Sequence, residues 1–264
     1  VKNERGMTTT ETRRVALETG ATTTVECWGD AGPAILCVHG LASSRRDFTR
    51  LGEALSGTHR VFAYDQRGHG DNAHDDGPLS LTALAADLRA VADCIGTVAV
   101  VVGHSLGGAV ALIGGPKVAR ALVLVDPALR VPAGTFARDY VDELGPTLDI
   151  PPGDERDAAV RALFVDAHPT DRDGKVHAMR AVSLETLRRI GRDTDDAGGW
   201  DLRSRLAALK IPTTILVAGE DSVIAPLDLA DRAPVVRVDV IEGHGHTLHR
   251  SAFDVFAGAV RAAS

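Results

Sequence analysis

The sequence predicts an α/β fold: a mostly parallel, twisted sheet of about eight strands with helices on both faces. Three observations lead there. Short apolar runs alternate with helix-length segments along most of the 264 residues. The runs Ala34–Val38, Val98–Val102 and Ala121–Val125 are apolar throughout, which suits strands buried on both faces of a sheet. The second of them runs straight into Gly103-His104-Ser105-Leu106-Gly107-Gly108. That pattern reads as a sharp strand-to-helix corner with Ser105 at its tip and glycines where the corner leaves no room for a Cβ.

In chain order, Arg13–Gly20 and Ala21–Trp28 are β-branched strands turning at Thr19-Gly20, an antiparallel edge. Ala34–Val38 is a central strand ending in His39-Gly40-Leu41-Ala42. Arg46–Leu55 is a short helix with Phe48, Leu51 and Leu55 on one face. His59–Tyr64 is the next strand and ends in Asp65-Gln66-Arg67-Gly68-His69-Gly70. Ser80 caps a long helix whose stripe is Leu81, Leu84, Leu88, Val91 and Ile95, and Gly96 ends it. After the serine corner, Gly114-Gly115-Pro116 stops the next helix early, and Ala121–Val125 leads to Asp126-Pro127.

The rhythm then breaks. From Leu129 to Leu209 the chain is charged and helical without a strand signal, with helices predicted over Asp154–Ala167 and Asp173–Arg192. Val176, Met179, Leu187 and Ile190 line part of one face, and hinges are expected at Pro146–Gly153 and Asp193–Gly199. This divides the chain into a core (1–128 and 210–264) and a helical cap (129–209) inserted after the sixth strand. The sheet resumes at Thr213–Ala218, which ends in Gly219-Glu220-Asp221-Ser222. A short helix, Pro226–Arg232, precedes the last strand, Val235–Ile241, and then come Glu242-Gly243-His244-Gly245-His246 and a closing helix, Ser251–Ala262.

Composition narrows the function classes. The net charge of −7 and the 4% aromatic content argue against nucleic acid or an anionic membrane as partner. Cys27, Cys37 and Cys94 form no C-x-x-C pair and are odd in number, so neither zinc nor a disulfide framework is expected. A reduced, cytoplasmic setting fits, and Cys37 reads as a small core residue. The polar start lacks the apolar segment of a signal peptide, and Met7 is read as the native start. No apolar run approaches the roughly 18 residues of a membrane span. A homodimer is compatible with the sequence.

Ligands of open α/β sheets bind at the carboxyl ends of the strands. The polar residues there are His39, Asp65, Ser105, Asp126, Asp221 and His246. A serine nucleophile needs a base to take its proton and an acid to orient that base. Serine, acid and histidine occur in that chain order.

Five motifs together resemble the α/β-hydrolase fold with a helical cap: His39-Gly40, Asp65-x-Arg67-Gly68-x-Gly70, Gly103-His104-Ser105-Leu106-Gly107-Gly108, Gly219–Pro226 and Gly245-His246. They span the chain from about residue 13 to its end, the cap excepted. The resemblance implies Ser105 as nucleophile and His246 as base, ahead of His244 and His249 on the same loop. It also implies an oxyanion hole built from the backbone N–H groups of Leu41 and Leu106. His39, His104 and an Asp65–Arg67 pair are expected to be structural. The family usually places its acid where this chain has Ser222; Asp221 is one residue early and Asp126 ends the neighbouring strand run, so Asp126 and Asp221 both stay open. Val131, Phe136, Tyr140 and Met179 are the expected substrate-contacting cap residues.

The implied function is a serine hydrolase, an esterase or lactonase, that cleaves a small carboxylic ester or lactone through an acyl-enzyme with no cofactor or metal. A serine at the corner sets aside the haloalkane dehalogenase and epoxide hydrolase branches. Alternatives of the same triad are C–C bond hydrolysis and a cofactor-free haloperoxidase-like or perhydrolase activity. A non-catalytic small-molecule receptor is the alternative from another class.

Overall fold

The computed structural model describes residues 11–17, 20–74, 76–165 and 167–264. The polar start with Met7, and Thr19 of the first predicted turn, lie outside them. The strands before the serine corner are β1 (Glu11–Ala16), β2 (Thr22–Trp28), β3 (Ala34–Val38) and β4 (Arg60–Tyr64), with β5 (Val98–His104) leading into it. Helix α1 (Thr49–Leu55) lies between β3 and β4, and α2 (Leu81–Ile95) between β4 and β5. Then follow α3 (Leu106–Gly114) and β6 (Ala119–Val125). After a long insertion come β9 (Thr213–Ala218), β10 (Val236–Ile241), α9 (Leu248–Ser251) and α10 (Phe253–Ala263).

The eight sheet strands stand in the order β1-β2-β4-β3-β5-β6-β9-β10. β1 and β2 run antiparallel to their neighbours, and every pair from β4 to β10 is parallel. This is the predicted α/β sheet. Its core is double because strand side chains alternate faces. Leu36 and Val38 of β3 pack with Leu88 and Val91 of α2 on one face. Ile35 and Cys37 pack with Leu55 of α1 and Phe256 of α10 on the other. Ser80 caps α2 by accepting the Ala83 N–H at 3.4 Å, and Gly96 ends it at φ +88°.

Between β6 and β9 the insertion holds β7 (Arg130–Pro132), a π-helical turn (Ala137–Val141), α4 (Asp142–Leu148), α5 (Asp154–Leu163), α6 (Pro169–Ala181), α7 (Leu184–Asp196), β8 (Gly199–Asp201) and α8 (Arg203–Ala207). Three local expectations change here. The predicted helix Asp173–Arg192 is two helices, because Ser183 turns extended and caps α7 by accepting the Thr186 N–H at 3.1 Å. The hinge expected over Pro146–Gly153 is helix in its first part, since α4 runs through Pro146 to Leu148, and the connection to α5 begins at Asp149. The region also contains strands: β7 and β8 pair antiparallel over three residues each, too short to leave a periodic signal. That ribbon ties the two ends of the insertion together, and Trp200 Nε1 donates to the Ala128 carbonyl at 2.8 Å. Among the described residues no helix is long and apolar enough to cross a membrane.

Candidate active site

Ser105 sits where β5 becomes α3, at φ +52° and ψ −117°. A non-glycine residue there carries backbone strain of about 1–3 kcal/mol, which the surrounding fold must impose. It does so through hydrogen bonds on both sides. Ser105 N–H donates to the Val125 carbonyl at 3.0 Å, and Ala128 N–H donates to the Ser105 carbonyl at 3.1 Å. The corner also needs its glycines. A Cβ on Gly107 would lie 2.2 Å from the Val38 carbonyl oxygen, so only glycine lets α3 start against β3. Gly108 and Ala109 N–H donate to the Ser105 carbonyl, at 2.9 and 3.1 Å, and the two amides before them, at the start of α3, have no intrahelical acceptor.

Asp126 ends β6, is fully buried and has φ +40°. Its carboxylate accepts four hydrogen bonds. Oδ1 takes the Ala218 N–H at 3.2 Å and the Ser222 hydroxyl at 2.6 Å. Oδ2 takes the Val223 N–H at 3.1 Å and His246 Nδ1 at 2.6 Å. A histidine held by Nδ1–H to a carboxylate leaves Nε2 as its proton acceptor. Asp221, the other open acid, is exposed on the loop after β9 and has φ +52°. Ser222 takes a share that sequence reasoning had not given it: its hydroxyl donates to Asp126 and accepts the Ile224 N–H at 3.0 Å, so its direction is fixed.

The loop after β3 abuts the serine. A Cβ on Gly40 would stand 3.2 Å from Ser105 Cβ and 2.8 Å from His104 Nδ1. His39 holds this loop by donating Nδ1–H to the Gly40 carbonyl at 2.8 Å and accepting the Gln66 N–H on Nε2 at 3.0 Å. His69 repeats the device: Nδ1–H donates to the Arg67 carbonyl at 2.9 Å, and Nε2 accepts the Ala42 N–H at 3.1 Å. Both rings must be neutral to accept, and burial pulls both below the ordinary histidine value, His69 to about 3 with His39 adding to the effect. The Leu41 side chain packs against the core and against both apolar clusters of the insertion.

Asp65 and Arg67 are structural but do not pair with each other. Asp65 holds Arg45, taking its backbone N–H at 2.8 Å and its guanidinium. Arg67 donates two guanidinium N–H groups to Asp87, one of them at 2.6 Å. Both pairs bridge elements twenty residues apart, a distance that no motif spacing reveals.

Behind His246 lies a buried cluster. His104 Nε2 donates to the His246 carbonyl at 3.1 Å, and its ring centroid is 4.8 Å from that of His246 and 4.2 Å from that of His249. Burial, reinforced by the neighbouring imidazoles, holds His104 well below its ordinary pKa. His249 Nε2 lies 3.3 Å from Asp47. Burial alone would raise the Asp47 carboxyl, but Arg250 and His249 outweigh it and hold it well below the usual range. Asp47, His104 and His249 are the group of described residues whose donor atoms converge closely enough for a metal. Arg250 already matches the charge of Asp47 from 2.9 Å and Ser43 donates to it at 2.6 Å, while His104 Nδ1 and both ring nitrogens of His249 are buried without a hydrogen-bond partner.

Of the expected cap residues, Val131 and Phe136 are buried in one insertion cluster and Met179 in the other, and both clusters touch Leu41. Tyr140 is half-buried with its ring 4.9 Å from Phe136. Burial raises its hydroxyl pKa, helped by Asp139, Glu143 and Asp126. A cleft of about 480 Å³ opens between the insertion and the histidine loop, lined by Phe164, Thr247, Arg250 and Phe253 among others. None of the four expected cap residues lines it.

Known proteins match this architecture. The N-formylmaleamate deformylase of Pseudomonas putida is 29% identical over 247 residues, 88% of this chain and 88% of its own. The pimeloyl-[acyl-carrier protein] methyl ester esterase of Xanthomonas campestris is 29% identical over 231 residues, 81% of this chain and 88% of its own. The crystal structure of an N-formylmaleamic acid deformylase from Pseudomonas putida S16 superposes with a TM-score of 0.77 at 24% identity, covering 95% of this chain and all of that one. The model of the alpha/beta hydrolase family matches residues 35–259. With that match over most of its length, the chain belongs to the alpha/beta hydrolase family.

Proposed function

We propose that the protein is a serine hydrolase of small carboxylic esters or lactones acting through an acyl-enzyme. The observation that carries this reading is the 2.6 Å bond from His246 Nδ1 to the buried Asp126, beside a serine held at a strained strand-to-helix corner. His246 Nε2 takes the proton of Ser105 Oγ as the oxygen adds to the carbonyl. The N–H groups of Leu106 and Leu41 receive the oxyanion, each worth about 3 kcal/mol of transition-state stabilisation. His246 then protonates the leaving alcohol, and a water activated by the same nitrogen releases the acyl group. Asp126 is the acid, because its carboxylate meets the imidazole while Asp221 faces solvent. The insertion serves as the cap, with Phe136, Tyr140, Met179 and Val131 forming its apolar inner packing.

The test is hydrolysis of short p-nitrophenyl esters by wild type and Ser105→Ala. Turnover is expected in the wild type and a loss of at least 1,000-fold in the variant. Equal rates in the two proteins would refute the reading and return the site to the receptor alternative.

A further inference from the structure

Among the described residues Lys175 is a cation near the serine corner with no carboxylate within 4.0 Å, its hydrogen bond going to a neutral carbonyl. It lies on α6, which packs on the turn Arg45–Phe48 that follows the loop carrying the proposed oxyanion hole: a Cβ on the neighbouring Gly174 would lie 2.9 Å from the Arg46 carbonyl oxygen. The Lys175 ammonium donates to the Ala42 carbonyl at 2.9 Å. Ala42 follows Leu41 and stands two residues from Gly40, which touches Ser105. The ammonium therefore holds the far end of the loop that abuts Ser105.

Its surroundings are short of negative charge. Arg250 is paired with Asp47, and Arg50 lies 3.3 Å from Asp171. Among the described residues no carboxylate comes within 4.0 Å of Lys175, and the one hydrogen bond it makes is to a neutral carbonyl. A half-buried ammonium with two of its three donors unassigned is costly unless an anion completes it. The Phe164 ring is 5.9 Å from Lys175 Nζ and 5.6 Å from the Arg250 guanidinium, so the cation faces the same aromatic wall that lines the cleft beside Thr247.

We propose that Lys175 is an anion-binding residue of the reaction site, and that the substrate is a small ester or lactone bearing a free carboxylate remote from the scissile carbonyl. This rests on the serine-hydrolase reading for its second half. The cap then contributes a charge as well as an apolar wall, and closing over an acidic substrate joins cap and oxyanion loop through one ion pair. Burial, helped by Arg250, pulls the Lys175 ammonium down to about 8, while Asp47 and Glu143 oppose the fall. The nearby His39 and His69 are neutral throughout the relevant range. Recognition of the acid is therefore strong below pH 8 and fades above it.

The experiment compares mono-p-nitrophenyl succinate with p-nitrophenyl butyrate, similar in size but differing in the distal charge. In the wild type at pH 7, kcat/KM is expected to favour the acidic ester at least tenfold, mainly through KM. In Lys175→Met the ratio of the two esters should fall to about one, and Lys175→Arg should restore part of it. Calorimetric titration with succinate gives a readout independent of turnover: wild type binds it and Lys175→Met, checked for an unchanged Tm, does not. A wild-type ratio of one or below, or an unchanged ratio in Lys175→Met, overturns the proposal. Absence of hydrolysis of both esters would sink the serine-hydrolase reading, and the succinate titration alone would then decide the anion site.

Discussion

Replacing Asp126 with asparagine separates the two open assignments of the acid. The carboxylate accepts four hydrogen bonds, all from groups that can only donate or are held donating: two backbone N–H groups, the Ser222 hydroxyl and His246 Nδ1–H. An amide keeps one accepting oxygen. If that oxygen stays at the Oδ1 position, the new NH₂ faces Val223 N–H and His246. The imidazole can then bond it only by presenting a bare Nδ1, which moves the proton to Nε2 and leaves the serine without a base. If the amide flips, the NH₂ meets Ala218 N–H and Ser222, and a buried donor loses its acceptor at about 1–3 kcal/mol. The first arrangement loses the reactive tautomer outright, and the second keeps it only at that cost. The loss of kcat is expected to be roughly 1,000- to 10,000-fold, as for acids of this type. Asp221→Asn, changed on an exposed side chain, should stay within twofold of wild type. The assay is ester hydrolysis for both variants, with Tm recorded to exclude unfolding. An Asp126→Asn enzyme within tenfold of wild type, or a collapse of activity in Asp221→Asn, would refute the assignment.

Two further outcomes follow from the same geometry. Ser222→Ala removes one charged hydrogen bond to Asp126 without touching His246, so kcat should fall about tenfold at constant KM, from a bond of about 1.5–3 kcal/mol; unchanged steady-state kinetics would show that the hydroxyl is dispensable. Stability should fall with acidity earlier than carboxylate titration alone would cause. Burial lowers the folded-state pKa of His39, His69, His104 and His249, each at most 6% exposed, so the unfolded chain binds more protons once the pH drops below about 6.5. Each contributes up to about 1.4 kcal/mol per pH unit, and the urea midpoint should therefore decline steadily from pH 6.5 to 5. A flat midpoint across that interval would mean that these rings are protonated in the folded protein.

What could be read from the sequence was whatever depends on neighbours in the chain. The central strands were legible because β3, β5 and β6 are buried on both faces and so are apolar without a break. The serine corner was legible because its glycines are demanded by contacts a few residues away. The break between α6 and α7 was not, since Val182-Ser183 is as compatible with a helix interior as with a cap. Asp65 and Arg67 stand close in sequence and invite pairing, yet each is held by a partner from another element. His69 sat inside a recognised motif without a visible task, and nothing near Lys175 marks it, because its contact is 133 residues away.

The choice of acid was illegible for a more specific reason, and the sheet explains it. β6 and β9 are adjacent and parallel, with Val125 opposite Leu216. Their carboxyl ends therefore deliver two loops to nearly the same place, one bearing Asp126 and the other Asp221 and Ser222. A histidine arriving after β10 can be met from either loop, so chain order and motif counting fit both. Only one loop needs to bring the charge; the other must then solvate it. Here the β9 loop gives donors, through Ser222 Oγ–H and Val223 N–H, and the Ala218 N–H at its start gives a third. A serine at the usual acid position thus fits a donor to a carboxylate that stands one strand over, rather than a defect in a triad. Restoring a carboxylate there by Ser222→Asp should lower activity, because it would set two acids against each other around His246.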